Sequence, residues 1–264
     1  MTEQNQNAPK IESVSIVAMG RSHAMYIGAC AAKGGYKRLA QETWAINSMG
    51  GCIEHDRLFL MDDWRDILLP KMAATDAVVA KATATVAAEQ ERLKLLTDAA
   101  EIDAARTKIE EAQQLTQPSM LHGVNDWIGI HPGPVYVPTA CPEIPGAVEY
   151  PIEEVLSTIQ FPYLNTTVAY AIALAIHWKI SRIAMYGCDF TYPDVHIAES
   201  GRGCAEWLVG IGALRGSAME IAGGSTLLDS HLTIEQRLYG YAGKLDVQYD
   251  EKTSKFTVKR RDTS

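Results

Sequence analysis

Apolar positions along the chain alternate between short β-rich runs and helical stretches, in an order that predicts an open, mainly parallel α/β sheet. Ser13 to Met19 (SVSIVAM) is a buried strand that passes into Gly20-Arg21-Ser22-His23 and then a small-residue helix, AMYIGACAAKGG. Glu42 to Asn47 and Arg57 to Met61 are two further strands, the second running into Asp62 and Asp63. If these strands are parallel, the Gly20 loop, Asn47 and the two aspartates share one edge of the sheet. The most legible stretch is Asn165 to Tyr192. Asn165 is a good N-cap, with Thr166 and Thr167 at the helix mouth. Val168 to Trp178 is almost wholly apolar, which predicts a helix buried on most sides. After Lys179-Ile180-Ser181, residues Arg182 to Gly187 form a buried strand that opens into Cys188-Asp189-Phe190-Thr191-Tyr192. A polar strand end so near a capped helix mouth marks the wall of a site.

The pattern changes from about Lys71 to Leu115, a segment rich in Ala, Glu, Lys and Gln without Gly or Pro. It reads as a helical hairpin broken near Thr97-Asp98, with Val78, Val79, Val86, Leu93, Leu96, Ile102 and Ile109 as its apolar seam. As an insertion of mixed charge it is expected to assemble a homo-oligomer, with a lid as the other reading. Pro118 to Pro145 is loop-rich around a short strand, Val135 to Val137, and Ile152 to Ile159 is a short helix. Past Tyr192 a helix is predicted from between Gly201 and Ala205 to Gly216. His196, Glu199, Arg202 and Glu206 share one side of it if it begins earlier. Ser217 to Ile221 is a last strand, and KLDVQYD with KFTVKR reads as a β-hairpin. The expected organisation is a disordered tail over 1–10, one α/β domain over 11–70 and 116–230, a helical insertion over 71–115 and a β appendage over 231–264.

The 264 residues carry a net charge of −8, which argues against a broad nucleic-acid footprint and leaves open only a local basic patch. The basic run Lys259-Arg260-Arg261 reads as a solvated terminus. Five scattered cysteines without C-x-x-C spacing are expected to be reduced thiols of a cytoplasmic protein. The polar start MTEQNQNAPK has no apolar signal region, and the Val168 helix is too short to span a bilayer.

A strand, a glycine, a hydroxyl residue and a helix in succession, as at Gly20-Arg21-Ser22, can hold a phosphate on backbone N–H groups and a positive helix end. There is neither a G-x-G-x-x-G run nor a Walker lysine, so an ordinary βα turn fits the same residues. His23 beside it can bond a phosphate or simply start the helix. Asp62 and Asp63 can hold Mg²⁺, face solvent, or cap a helix.

Met19-Gly20-Arg21-Ser22, the strand-ending Asn47, the Thr166-Thr167 turn and Gly187-Cys188-Asp189-Phe190 follow one another in an order that resembles a Rossmann-like group. That group includes bacterial family-42 sialyltransferases and proteins akin to archaeal hydroxymethylpterin diphosphokinase. With GRSH, NSMGG, MDDW, NTTVAYAIALAI and YGCDFTYPD in order, the chain looks most like bacteriophage-encoded members of the group. The resemblance implies a Rossmann-like body, a nucleotide at Gly20, Ser22 and Asn47, its phosphate on Tyr192, and His196 as base. Arg21 stands where the group has proline, Tyr192 is displaced by one position, and His196 comes sooner after the strand.

The leading expectation is therefore a nucleotide-binding transferase that moves a glycosyl group from a nucleotide sugar. Gly20-Arg21-Ser22 and Asn165-Thr166-Thr167 would cradle the phosphate, with Arg202 as counter-charge. His196 would be the base, oriented by Glu199 or Asp189. The same residues fit plainer roles: His196 as a loop histidine bonded to backbone, and Arg202 with Glu206 as a structural ion pair. Two alternatives stand beside the transferase. One is a phage protein that binds a nucleotide or a partner without turnover. The other is a diphosphokinase-like pyrophosphoryl transferase with Mg²⁺ on Asp62 or Asp63.

Overall fold

A computed structural model describes residues 10–116, 124, 127–241, 243–250 and 255–261. Most of the tail expected over 1–10 lies outside the described residues. In chain order the elements begin with β1 (Ser13–Val17), α1 (His23–Ala32), β2 (Glu42–Ile46) and β3 (Arg57–Phe59). The long helices α2 (Leu69–Leu93) and α3 (Ala99–Leu115) follow, then β4 (Val135–Val137) and β5 (Ala147–Glu149). Next come α4 (Ile152–Ile159), α5 (Thr167–His177), β6 (Arg182–Tyr186), α6 (Val195–Leu214) and β7 (Ala218–Ile221), and the chain closes on β8 (Leu245–Asp250) and β9 (Lys255–Arg260).

Seven strands form a parallel sheet in the order β5-β4-β3-β2-β1-β6-β7, and β8 pairs antiparallel with β9 as a separate hairpin. The fold class is thus the expected Rossmann-like open α/β sheet. By its contacts the chain divides into two compact units. One comprises Met1–Met49, Ile53–Phe59 and Pro151–Ser264, and the other Gly50–Cys52 and Leu60–Tyr150. The second unit takes in β4, β5 and the loop-rich stretch along with the helical hairpin, so it is wider than the expected 71–115.

In the first unit the core follows from composition. Val14, Ile16 and Val17 of β1 and Ile183, Ala184 and Met185 of β6 are buried, as a central parallel strand covered on both faces requires. Every residue of α5 from Val168 to Ile176 except Tyr170 is buried, and the helix packs on β1, β2 and β3. Thr166, in extended conformation, caps α5 by accepting from the Val168 N–H at 3.3 Å. The expected cap, Asn165, instead sends its side-chain amide to the Ser200 carbonyl and hydroxyl at 3.1 and 2.6 Å. α6 begins six residues before Gly201, because Asp194 accepts from the N–H groups of His196 and Ile197 and so starts the helix early.

In the second unit α2 and α3 pack against each other, and Met72, Ala82, Ala105 and Ala112 are their buried positions, with Val79, Val86, Leu93, Ile102 and Ile109 half-buried. Val78, expected in this seam, is exposed. Asp98 caps α3 through the N–H groups of Ala100 and Glu101, at the expected break. No helix among the described residues is long and apolar enough to cross a membrane.

Candidate functional site at the carboxyl edge of the sheet

From β1 the chain builds outward through β2 and β3 on one side and through β6 and β7 on the other. Strand order therefore reverses between β1 and β6, the place where open α/β sheets bind ligands outside the carboxyl ends of their strands. Here the loops leaving those two strands are fastened together. The Gly20 N–H donates to the Gly187 carbonyl at 2.8 Å. The Ser22 N–H and hydroxyl donate to the two oxygens of Asp189 at 2.6 and 2.7 Å. The Gly187 N–H donates in turn to the Ser22 hydroxyl oxygen at 2.8 Å. Gly20 is required by this approach, since a Cβ there would lie 2.6 Å from both the Asp189 Cβ and the Gly187 oxygen.

This arrangement changes the expected role of the first loop. The N–H groups of His23, Ala24 and Met25 are bonded to the carbonyls of Gly20, Arg21 and Ser22, and that of Ser22 to Asp189. The Gly20 and Ser22 donors expected to cradle a phosphate are thus spent within the chain, and the Asp189 carboxylate lies at the start of α1 where an anion would. Ser22 and Asp189 are both buried, and Asp189 holds Ser22 rather than His196. Beside it the Cys188 thiol is driven well above its ordinary range, chiefly by burial and then by the Asp189 charge. Arg21 remains exposed on the rim.

One feature of this loop escaped the sequence. The His23 ring Nδ1 lies 2.7 Å from the Gly20 carbonyl, which can only accept, so Nδ1 carries a proton, and in the neutral ring the lone pair falls on Nε2. Nothing in the sequence marks which carbonyl a helix-start histidine meets.

Asn47 follows β2 directly, with φ of +50°, a left-handed conformation that asparagine tolerates. Its Oδ1 is buried without a hydrogen-bond partner among the described residues. In a native fold a buried group of this kind, like the equally unpartnered Ser15 Oγ and Trp64 Nε1, is matched by a water, an ion or a ligand.

No family model, curated protein or solved structure matches the chain.

The remaining expected site residues are dispersed. His196 and Glu199 lie exposed on the first turns of α6, and the His196 ring has no partner among the described residues. Arg202 donates from Nε to Glu206 at 2.7 Å and from Nη2 to Asp229 at 2.8 Å, while Glu206 also accepts from the Leu228 N–H. That ties α6 to the turn at residues 227–229, in keeping with the structural reading of Arg202. Tyr192 is half exposed, its ring edge-on to Phe190 at 6.4 Å. Thr167 is the first residue of α5.

In the second unit Asp63 caps the turn Trp64–Leu68, accepting from the N–H groups of Arg65 and Asp66 at 2.9 and 2.8 Å. Asp62 lies beside it, partly exposed. Among the described residues no three His, Cys, Asp or Glu side chains are gathered as a metal ion would need.

Proposed function

We propose that the chain binds a nucleotide at the carboxyl edge of its first unit, and that transfer of a glycosyl group from a nucleotide sugar is the reaction this site serves. The observation that carries the reading is the buried, unpaired Oδ1 of Asn47 at the end of β2. A ribose hydroxyl or a base amino group supplies the missing donor, and the exposed Arg21 supplies charge for a phosphate. For the transfer step His23 has the better credentials as base. Its ring is oriented by Gly20, and Nε2 can take a proton from an acceptor hydroxyl. His196 has no such orientation.

Calorimetry with nucleotides and nucleotide sugars tests the binding, using Asn47→Gly, which removes the side chain and suits the left-handed backbone. Affinity should fall several-fold, the effect of losing roughly 0.5–1.5 kcal/mol, with stability unchanged or raised. Undiminished binding by Asn47→Gly places the nucleotide elsewhere. For the chemistry, His23→Ala should lower transfer by about 10²–10⁴-fold with affinity nearly intact.

Binding without turnover is the second reading. It is favoured by the commitment of Asp189 to Ser22 and of Arg202 to Glu206 and Asp229, which leaves His196 and Glu199 without the groups expected to complete an acid/base set. Tight nucleotide binding with no product from any nucleotide sugar would decide for it.

A further inference from the structure

At the opposite, amino edge of the first unit's sheet lies a cleft of about 710 Å³ that the expected chemistry does not use. Three helices end there, and each ends on a residue in the left-handed region: Gln160 after α4 (φ +64°), Lys179 after α5 (φ +57°) and Gly216 after α6 (φ +93°). α5 and α6 close in the same way. The Ile180 N–H reaches back to the Ala175 carbonyl and the Ser217 N–H to the Gly212 carbonyl. Glycine is the residue that takes this position without strain, as α6 shows. α5 has a lysine instead.

The lining of the cleft includes Lys179, Arg215 and His177 and no carboxylate, in a chain whose net charge is −8. The Lys179 ammonium makes no hydrogen bond or ion pair among the described residues, whereas Lys37, another left-handed lysine, is paired with Asp56 at 2.5 Å. Arg215 spends one Nη2 proton on the Thr158 carbonyl at the end of α4, and its Nη1 and Nε protons have no partner among the described residues. The His177 Nδ1 donates to the Thr158 hydroxyl oxygen at 2.7 Å, that hydroxyl's own proton going to the Glu154 carbonyl. Helix carboxyl ends disfavour anions, but the end carbonyls of α5 and α6 are already closed by backbone donors. A charge-assisted bond to lysine or arginine outweighs the residual partial charge of a helix end.

We propose that this cleft is a second ligand site, which takes the phosphate of a small phosphorylated molecule on Lys179 and Arg215. The strained lysine then has a reason: its backbone is held left-handed to place an ammonium in the cleft. The volume exceeds that of a bare phosphate and leaves room for an organic group on the Ser157 and Gln160 side.

Thermal melting in inorganic phosphate, against chloride of matched ionic strength, tests the proposal with wild type and Lys179→Gly. Glycine relieves the left-handed strain, so the variant should melt at or above the wild-type temperature without phosphate. Its half-saturating phosphate concentration should rise on the order of tenfold or more, the loss expected for one charge-assisted bond. A parallel titration with glycerol 3-phosphate separates two sources of the same chemistry. Equal affinity identifies free phosphate as the ligand, and tighter binding identifies a phosphorylated molecule. Phosphate that fails to stabilise the wild type overturns the proposal. So does equal stabilisation of both proteins, which is the general effect of an excluded salt.

Discussion

Ser22 and Asp189 are joined twice, through the Ser22 N–H and its hydroxyl, across 167 residues of chain and with both side chains buried. The pair closes the gap between β1 and β6 at the point where strand order reverses. Asp189→Ala leaves two buried donors unsatisfied and should cost about 3 kcal/mol, while Ser22→Ala should cost about 1–2 kcal/mol. Urea denaturation of both single variants and the double variant should return a coupling energy of about 1 kcal/mol or more. Additive effects would show that the two residues act separately.

Acid should weaken the fold before the carboxylates titrate. Burial holds the His55 and His177 imidazoles below their ordinary value of 6.5. The Ile53 carbonyl and Asp56 oppose this at His55, and Glu154 opposes it at His177, while Lys37 and Lys179 reinforce it. Just below 6.5 the unfolded chain binds more protons than the folded one. Stability therefore falls as pH drops from 6.5 through the folded-state values, and these groups add no slope above it. Melting temperatures across that range measure the slope, and His177→Gln should flatten part of it. A variant with the full wild-type slope would remove His177 from the account.

Arg202 and His196 should part company. Arg202→Ala breaks two partly exposed ion pairs at once and should cost about 1 kcal/mol, and Arg202→Lys should recover only part because an ammonium cannot fork between Glu206 and Asp229. His196→Ala, at an exposed position, should change stability by less than about 0.5 kcal/mol. Denaturation midpoints decide, and a large loss at His196 would reveal a contact that this fold does not contain.

The α2–α3 hairpin satisfies most of its seam within itself, so replacing residues 72–114 with a Gly/Ser linker should leave the first unit folded. If the hairpin assembles the protein, light scattering should record a smaller subunit number. Loss of the folded circular-dichroism spectrum would tie the hairpin to the core, and an unchanged subunit number would end its assembly role.

The sequence is most transparent where one local signal suffices. β4 and α4 fall where apolar runs and turn residues place them, and the apolar α5 and β6 lie within a residue of expectation. β5 was missed because it is three residues long, partly exposed and set between Pro145 and Pro151. α6 starts at Val195, earlier than the expected Gly201 to Ala205. Gly201 is demanded by packing, since a Cβ there would lie 2.9 Å from the Phe190 ring. The candidate site was legible only in outline. Its loops were found, but the Ser22–Asp189 bond joins residues that no local pattern relates. Likewise no composition shows that Gly20 and Ser22 spend their backbone donors at home.

The position of β1 also sets a timetable for synthesis. One edge of this strand is taken by β2, which follows within 30 residues, but the other waits for β6 at Arg182–Tyr186. At about 5–20 residues per second, the strand leaves the ribosome on the order of ten seconds before that partner exists. Throughout that interval β1, the middle strand of the five in the first unit, presents a bare apolar edge, the kind of surface that mispairs with neighbouring chains. A nascent chain released before Arg182 holds β1 to β5 but neither β6 nor β7, so its quality control must act on an unfinished sheet.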